Sequence, residues 1–170
     1  MGCTLIDGIV GTCSYDASGV EKLWLANKAA FTGATTYNAS LQVTGVSYND
    51  ALYEIVPALD SCTFSDDLVV NGSRRNFLQT IVFGIGALDA TVLATLETMG
   101  LSNLVAFVKD ASGNFRAFGL EGTGLRTTVM TDTSGTSAGN DGAVSVTLAG
   151  SSLTKGRFIE AAYAATLGLT

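Results

Sequence analysis

This 170-residue chain has no histidine. Its absence removes the Ser-His-Asp triad, the Cys-His nucleophile pair and every imidazole-ligated metal site. Cysteine is scarce too. Cys3, Cys13 and Cys62 are odd in number and lack C-x-x-C spacing, which argues against a zinc site and a disulfide framework. Reduced small hydrophobes are expected, the alternative being a single Cys3–Cys13 bond. The one proline is Pro57, and no Pro-rich or charge-rich linker divides the chain. No apolar run is long enough to cross a membrane. A positive n-region is missing from the start, and Ile6 stands where a myristoylation signal needs Ser or Thr. Charge is the scarcest commodity: 14% of residues are charged, against about 25% in an ordinary soluble domain. Between Lys28 and Arg74 there is no base at all, only Asp50, Glu54, Asp60, Asp66 and Asp67.

What is present is apolar: 47% of the residues, more than so few charges can screen from water. Neighbouring copies would supply the missing cover, because obligate subunit contacts resemble a domain core cut in half. Polarity comes mainly from 21 Thr and 14 Ser, and threonine suits a pleated strand, so hydroxyl-lined sheet is expected. The net charge of −6 and the lack of a basic patch beyond Arg74-Arg75 argue against static nucleic-acid binding. They do not argue against a surface past which a polyanion slides, since like charge prevents sticking. An exposed acidic face that serves solubility is the alternative reading of those acids.

The length suits one domain. Residues 1–22, small and Gly-rich, read as an N-terminal arm, and 23–170 as a single β-rich domain. Strands are expected over Leu23–Phe31, Leu41–Thr44, Leu52–Ala58 and Cys62–Val70. Asn71-Gly72 then turns the chain into Arg74–Phe83, because both residues accept positive φ. Arg75, Phe77, Gln79, Ile81 and Phe83 share one face of that strand. Its other face also mixes apolar and polar groups, which fits either a central strand or a subunit contact. A helix is expected over Asp89–Met99, capped by Asp89, striped by Val92, Leu93, Leu96 and Met99, and stopped at Gly100. Leu104–Val108 is a buried-type run, and Phe115–Leu120 returns as its hairpin partner. Residues 131–142, TDTSGTSAGNDG, read as a long flexible loop, and 143–150 as a strand. Residues 156–165 suit a strand better than a short helix. The expected fold is mainly β with one helix (α+β), as two packed antiparallel sheets in a sandwich or partly open barrel.

Chemical motifs are thin. Gly84-Ile85-Gly86 lacks the third glycine of a dinucleotide turn, and Asp89 would oppose a pyrophosphate. Asp66 and Asp67 are adjacent and would point to opposite faces, which disfavours a paired-carboxylate site with Glu54. Asp132, Asn140 and Asp141 miss the EF-hand spacing. Asn38-Ala39-Ser40 and Asn71-Gly72-Ser73 match glycosylation sequons by coincidence. Trp24, Tyr53, Phe77, Phe83, Phe107, Phe115 and Phe118 fall at core-type positions, not on a stacking platform. No cofactor, no metal and no enzymatic activity are expected.

The order of elements carries a resemblance. A long acidic hairpin from Tyr53 to Phe83 precedes the helix. The hairpin Phe107–Gly119, a Gly-rich loop and the strand Ala143–Gly150 follow. Over roughly residues 40–163 this resembles bacteriophage tail-tube and related virion ring proteins, particularly those of phages that infect gut Bacteroidetes-type bacteria. The resemblance implies two antiparallel sheets flanked by a helix, and a hexameric or dodecameric homo-oligomeric ring forming a channel for DNA passage. It implies contacts with adjacent tail or connector proteins, no membrane partner, assembly in the bacterial cytoplasm and residence in the virion. Charge then nominates Glu54, Asp60, Asp66 and Asp67 as lumen-lining. The arm and long loop nominate Cys3, Leu5, Ile6, Ile9, Val10, Thr131, Asp132, Asn140 and Asp141 as inter-subunit residues. A capsid decoration or head fibre, or a carbohydrate-binding β module, is the alternative.

Overall fold

The computed structural model describes residues 19–57, 61–86, 90–133 and 143–169. Among the described residues, eleven strands and two α-helices form a mainly β fold, a sandwich-like arrangement and not a closed barrel. The strands are β1 Val20–Asn27, β2 Thr36–Tyr37, β3 Val43–Gly45, β4 Tyr53–Ile55, β5 Thr63–Asn71 and β6 Arg74–Ile85. After α1 (Ala90–Leu101) come β7 Leu104–Asp110, β8 Phe115–Phe118, β9 Arg126–Thr133, β10 Ala143–Ser152 and β11 Arg157–Phe158, and then α2 (Ala161–Thr166).

Two sheets make the sandwich. One has five strands in the order β11-β8-β7-β1-β4, the other four in the order β5-β6-β10-β9, and β2-β3 form a small separate pair. The continuous apolar runs of β1 and β7 place the five-stranded sheet in the middle of the molecule, since a strand buried on both faces needs no polar alternation. Leu23, Leu25, Leu104, Ala106, Val108 and Phe118 face the other sheet, where they meet Ile81, Phe83, Val144, Val146 and Leu148. Trp24, Val105, Phe107 and Ala117 face the opposite way and are covered by Val43, Ile159, Ala164 and Leu169. α1 adds Leu96 and Met99 to the first core, while Leu93 and Leu101 stay exposed. Gln79 ties the layers together inside the core: its side chain accepts from the Gly119 N–H at 2.8 Å and donates to the Thr154 carbonyl at 3.0 Å.

Several expectations are corrected. Val20–Lys22 belong to β1 and not to an arm. β3 starts at Val43 because the Asn38 side chain accepts from the N–H groups of Ser40 and Gln42, bending the chain through Leu41 at φ 59°. Tyr53 is exposed, not core, and β4 pairs with β1 instead of extending the hairpin. α1 runs through Gly100 to Leu101. Thr131–Thr133, expected as loop, are strand, paired with Ala143–Ser145; the rest of the loop expected at 131–142 lies outside the described residues. Residues 156–165 split into the two-residue β11 and the Ala-rich α2, which makes two helices where one was expected. The proposed Asp89 cap lies outside the described residues.

Candidate functional site

The register of the four-stranded sheet fixes its outer face. One row crosses all four strands as Thr63, Val82, Thr147 and Val129; the next is Ser65, Thr80, Ala149 and Arg126. A third holds Asp67, Leu78 and Ser151. None of these residues is buried. Within these three rows Asp67 and Arg126 carry the only charges, on opposite edge strands, so the rows are small hydroxyls and short apolar groups; Arg74 shares the face further out, at the hairpin end. Of the 13 large apolar residues exposed among the described ones, six (Leu68, Val69, Val70, Leu78, Val129 and Met130) belong to this sheet.

The β5–β6 hairpin projects past its neighbours. β10 pairs with β6 no further than Phe77, so the segment from Val69 to Asn76 is a two-stranded ribbon closed by Asn71-Gly72, with Gly72 at φ 61°. A ribbon of two strands is marginal in water. This one nevertheless exposes Val70 by 57% on one side and Val69 on the other, with Leu68 at its base exposed by 54%. Such a patch marks an interaction surface more often than chance exposure does.

The acids nominated from sequence do not gather. Glu54 lies on the five-stranded sheet, opposite Trp24 and 3.9 Å from Lys22. Asp66 turns inward and accepts the Gly156 N–H at 2.7 Å. Asp67 lies on the outer face and accepts from the Ser65 hydroxyl at 3.0 Å. Thr131 and Asp132 sit on the edge strand β9, facing opposite ways. Asp60, Cys3, Leu5, Ile6, Ile9, Val10, Asn140 and Asp141 lie outside the described residues, as does Cys13. Cys62 is buried, which pushes its thiol up to about 11 and leaves it a packing group.

A polar cluster fastens the far side of the five-stranded sheet. Tyr37 donates its hydroxyl to Glu121, whose other oxygen accepts from the Thr154 hydroxyl at 3.1 Å. Lys28 donates to the Leu120 carbonyl. Burial holds the Lys28 ammonium below its ordinary value, although Glu121 pulls the other way. Burial, reinforced by Glu121, pushes the Tyr37 phenol up to about 12. The fold thus favours the neutral phenol. Its contribution is full below the unfolded value of roughly 10 and is lost as pH rises through about 12. Tyr37→Phe should remove that component: wild type should lose more stability than the variant between those pH values in urea titrations. Equal losses would show that Tyr37 titrates freely.

Sequence reasoning passed over two features: the bare hairpin tip, and Arg116, which alternation with Phe118 in β8 places on the inner face. Among the described residues no three Cys, Asp or Glu side chains gather at metal-binding distance. No protein-family model, curated protein or solved structure matches this chain.

Proposed function

We propose that the chain is a virion structural subunit that closes with identical copies into a ring, of the bacteriophage tail-tube or head–tail kind, around a bore that conducts DNA. The supporting observation is the four-stranded sheet, with its uncovered face, its two edge strands and its projecting apolar hairpin. Strand direction alternates across β5, β6, β10 and β9, so the two edges are antiparallel to each other. Joining β5 of one copy to β9 of the next continues the alternation without a parallel mismatch. Repeating that contact is heterologous association, which closes a ring when the rotation allows. Closure would also remove edges that otherwise invite aggregation.

The uncovered face lines the bore in this reading. Phosphate retention needs cations. The three rows supply hydroxyls, one carboxylate and the single guanidinium of Arg126, which is engaged with the Asn103 side chain at 2.9 Å. Asp67 is therefore the lumen candidate retained; Asp66 serves inside the domain and Glu54 belongs to the other sheet.

Negative-stain electron microscopy of the full chain is expected to show annuli with a central hole. Trimers or solid filaments would favour a head fibre or capsid decoration instead. Asp67→Lys should leave the annuli in place and make them retain duplex DNA at low salt. Retention no greater than wild type would remove Asp67 from the bore.

A further inference from the structure

Arg116 is held in an unusual way. It lies opposite Val108 of β7, which puts its side chain between the two sheets. The guanidinium carbon is 4.2 Å from the Phe158 ring centre and 5.3 Å from that of Phe64. Its Nε is buried with no hydrogen-bond partner, and no carboxylate pairs with it among the described residues. With Phe64, Phe158 and Asn114 it lines a 470 Å³ cleft beside the start of β5. Of the acids nearest in the fold, Asp110 is committed through both oxygens and Asp66 through one. Asp110 accepts from the N–H groups of Ser112 and Asn114 and so holds the β7–β8 turn. Asp66 accepts the Gly156 N–H through Oδ2, while its Oδ1 is buried with no hydrogen-bond partner and makes no ion pair with Arg116. A partly dehydrated guanidinium between two rings is suited to a carboxylate, which it can grip through two parallel N–H donors.

The opposite side of the sheet offers one. Asp132 on the edge strand β9 lies opposite Val144, a core residue, and therefore shares the sheet's inner face with Met130. It is exposed, and its carboxylate makes no hydrogen bond or ion pair among the described residues. If β9 of one copy meets β5 of the next, the inner-face side chains of β9 arrive at the cleft beside Phe64. We propose that Arg116 is the docking cation for Asp132 of a second copy. The pairing rests on the ring reading above and names the charge contact that selects the partner edge. An inward-pointing acid on an edge strand ordinarily blocks indiscriminate strand pairing. Set against Arg116, the same acid accepts the one edge that presents a cation and rejects the rest.

Charge exchange tests this by sedimentation velocity on the full-length chain. Arg116→Glu and Asp132→Arg should each weaken self-association by roughly thirtyfold to a thousandfold, the usual cost of breaking an enclosed interfacial pair. The double variant should recover most of that loss. Arg116→Met, which keeps a long stem between the two rings, guards against misfolding of the glutamate variant and should also weaken assembly. Single variants that assemble like the wild type overturn the pairing while leaving the ring intact. Weakened singles without recovery in the double variant overturn Asp132 as the partner. A wild-type chain that stays monomeric at every concentration overturns the ring reading, and the pairing with it.

Discussion

Replacing both Leu68 and Val70 with lysine is expected to leave the isolated fold intact and to weaken self-association roughly tenfold to a hundredfold. Both side chains are more than half exposed in the single chain. Surface changes of that kind ordinarily alter stability by no more than about 0.5 kcal/mol. In an assembled ring the same side chains would be covered, and each buried aliphatic group contributes about 1.5–3 kcal/mol. Just over half of each side chain remains to be covered, so losing two gives roughly 1.5–3 kcal/mol, or one to two powers of ten in the association constant. Circular dichroism should be unchanged while the sedimenting species falls to one subunit. A variant that still assembled would place the hairpin outside the interface.

The second large effect lies in the core. Phe118 is fully buried and packs against Phe64 with ring centres 5.1 Å apart. Gly156 lies so close beneath it that a Cβ there would come within 2.4 Å of the ring. Phe118→Ala removes the ring from a site with little room to collapse, and such truncations cost about 3–5 kcal/mol. For a domain of this size each kcal/mol lowers the melting temperature by about 2–4 °C. A fall of roughly 6–20 °C is expected. It is best measured in the Leu68/Val70 lysine background, because assembly makes melting depend on concentration. A fall under about 3 °C would contradict the packing described, again on the scale of about 2–4 °C per kcal/mol.

Much of this fold was legible from local pattern. The β5–β6 hairpin followed from the Asn71-Gly72 turn between two strand-like runs, and the doubly buried β7 from an uninterrupted apolar run. Pairing partners were not legible, because alternation says which residues share a face and not which strand lies alongside. Tyr53–Ile55 therefore looked continuous with the acidic hairpin, whereas it pairs with β1 and carries Glu54 to the other sheet. The acidic cluster came apart for that reason. The last segment was misread because Phe158 and Ile159 suggested a strand, while the alanines that follow favour a helix. Arg116 escaped notice because a lone arginine between aromatic residues reads as surface until the facing sheet is known. The proposed assembly surface was foreshadowed only as a shortage of charge, and proposing where it lies needed the register of four strands.

The central claim is that this chain is completed by copies of itself along the edges of its four-stranded sheet. Native mass measurement of the full chain over a wide concentration range tests that most directly. The account predicts one closed multiple of the 17.4 kDa subunit, unchanged on further concentration. A stable 17.4 kDa species throughout would contradict it.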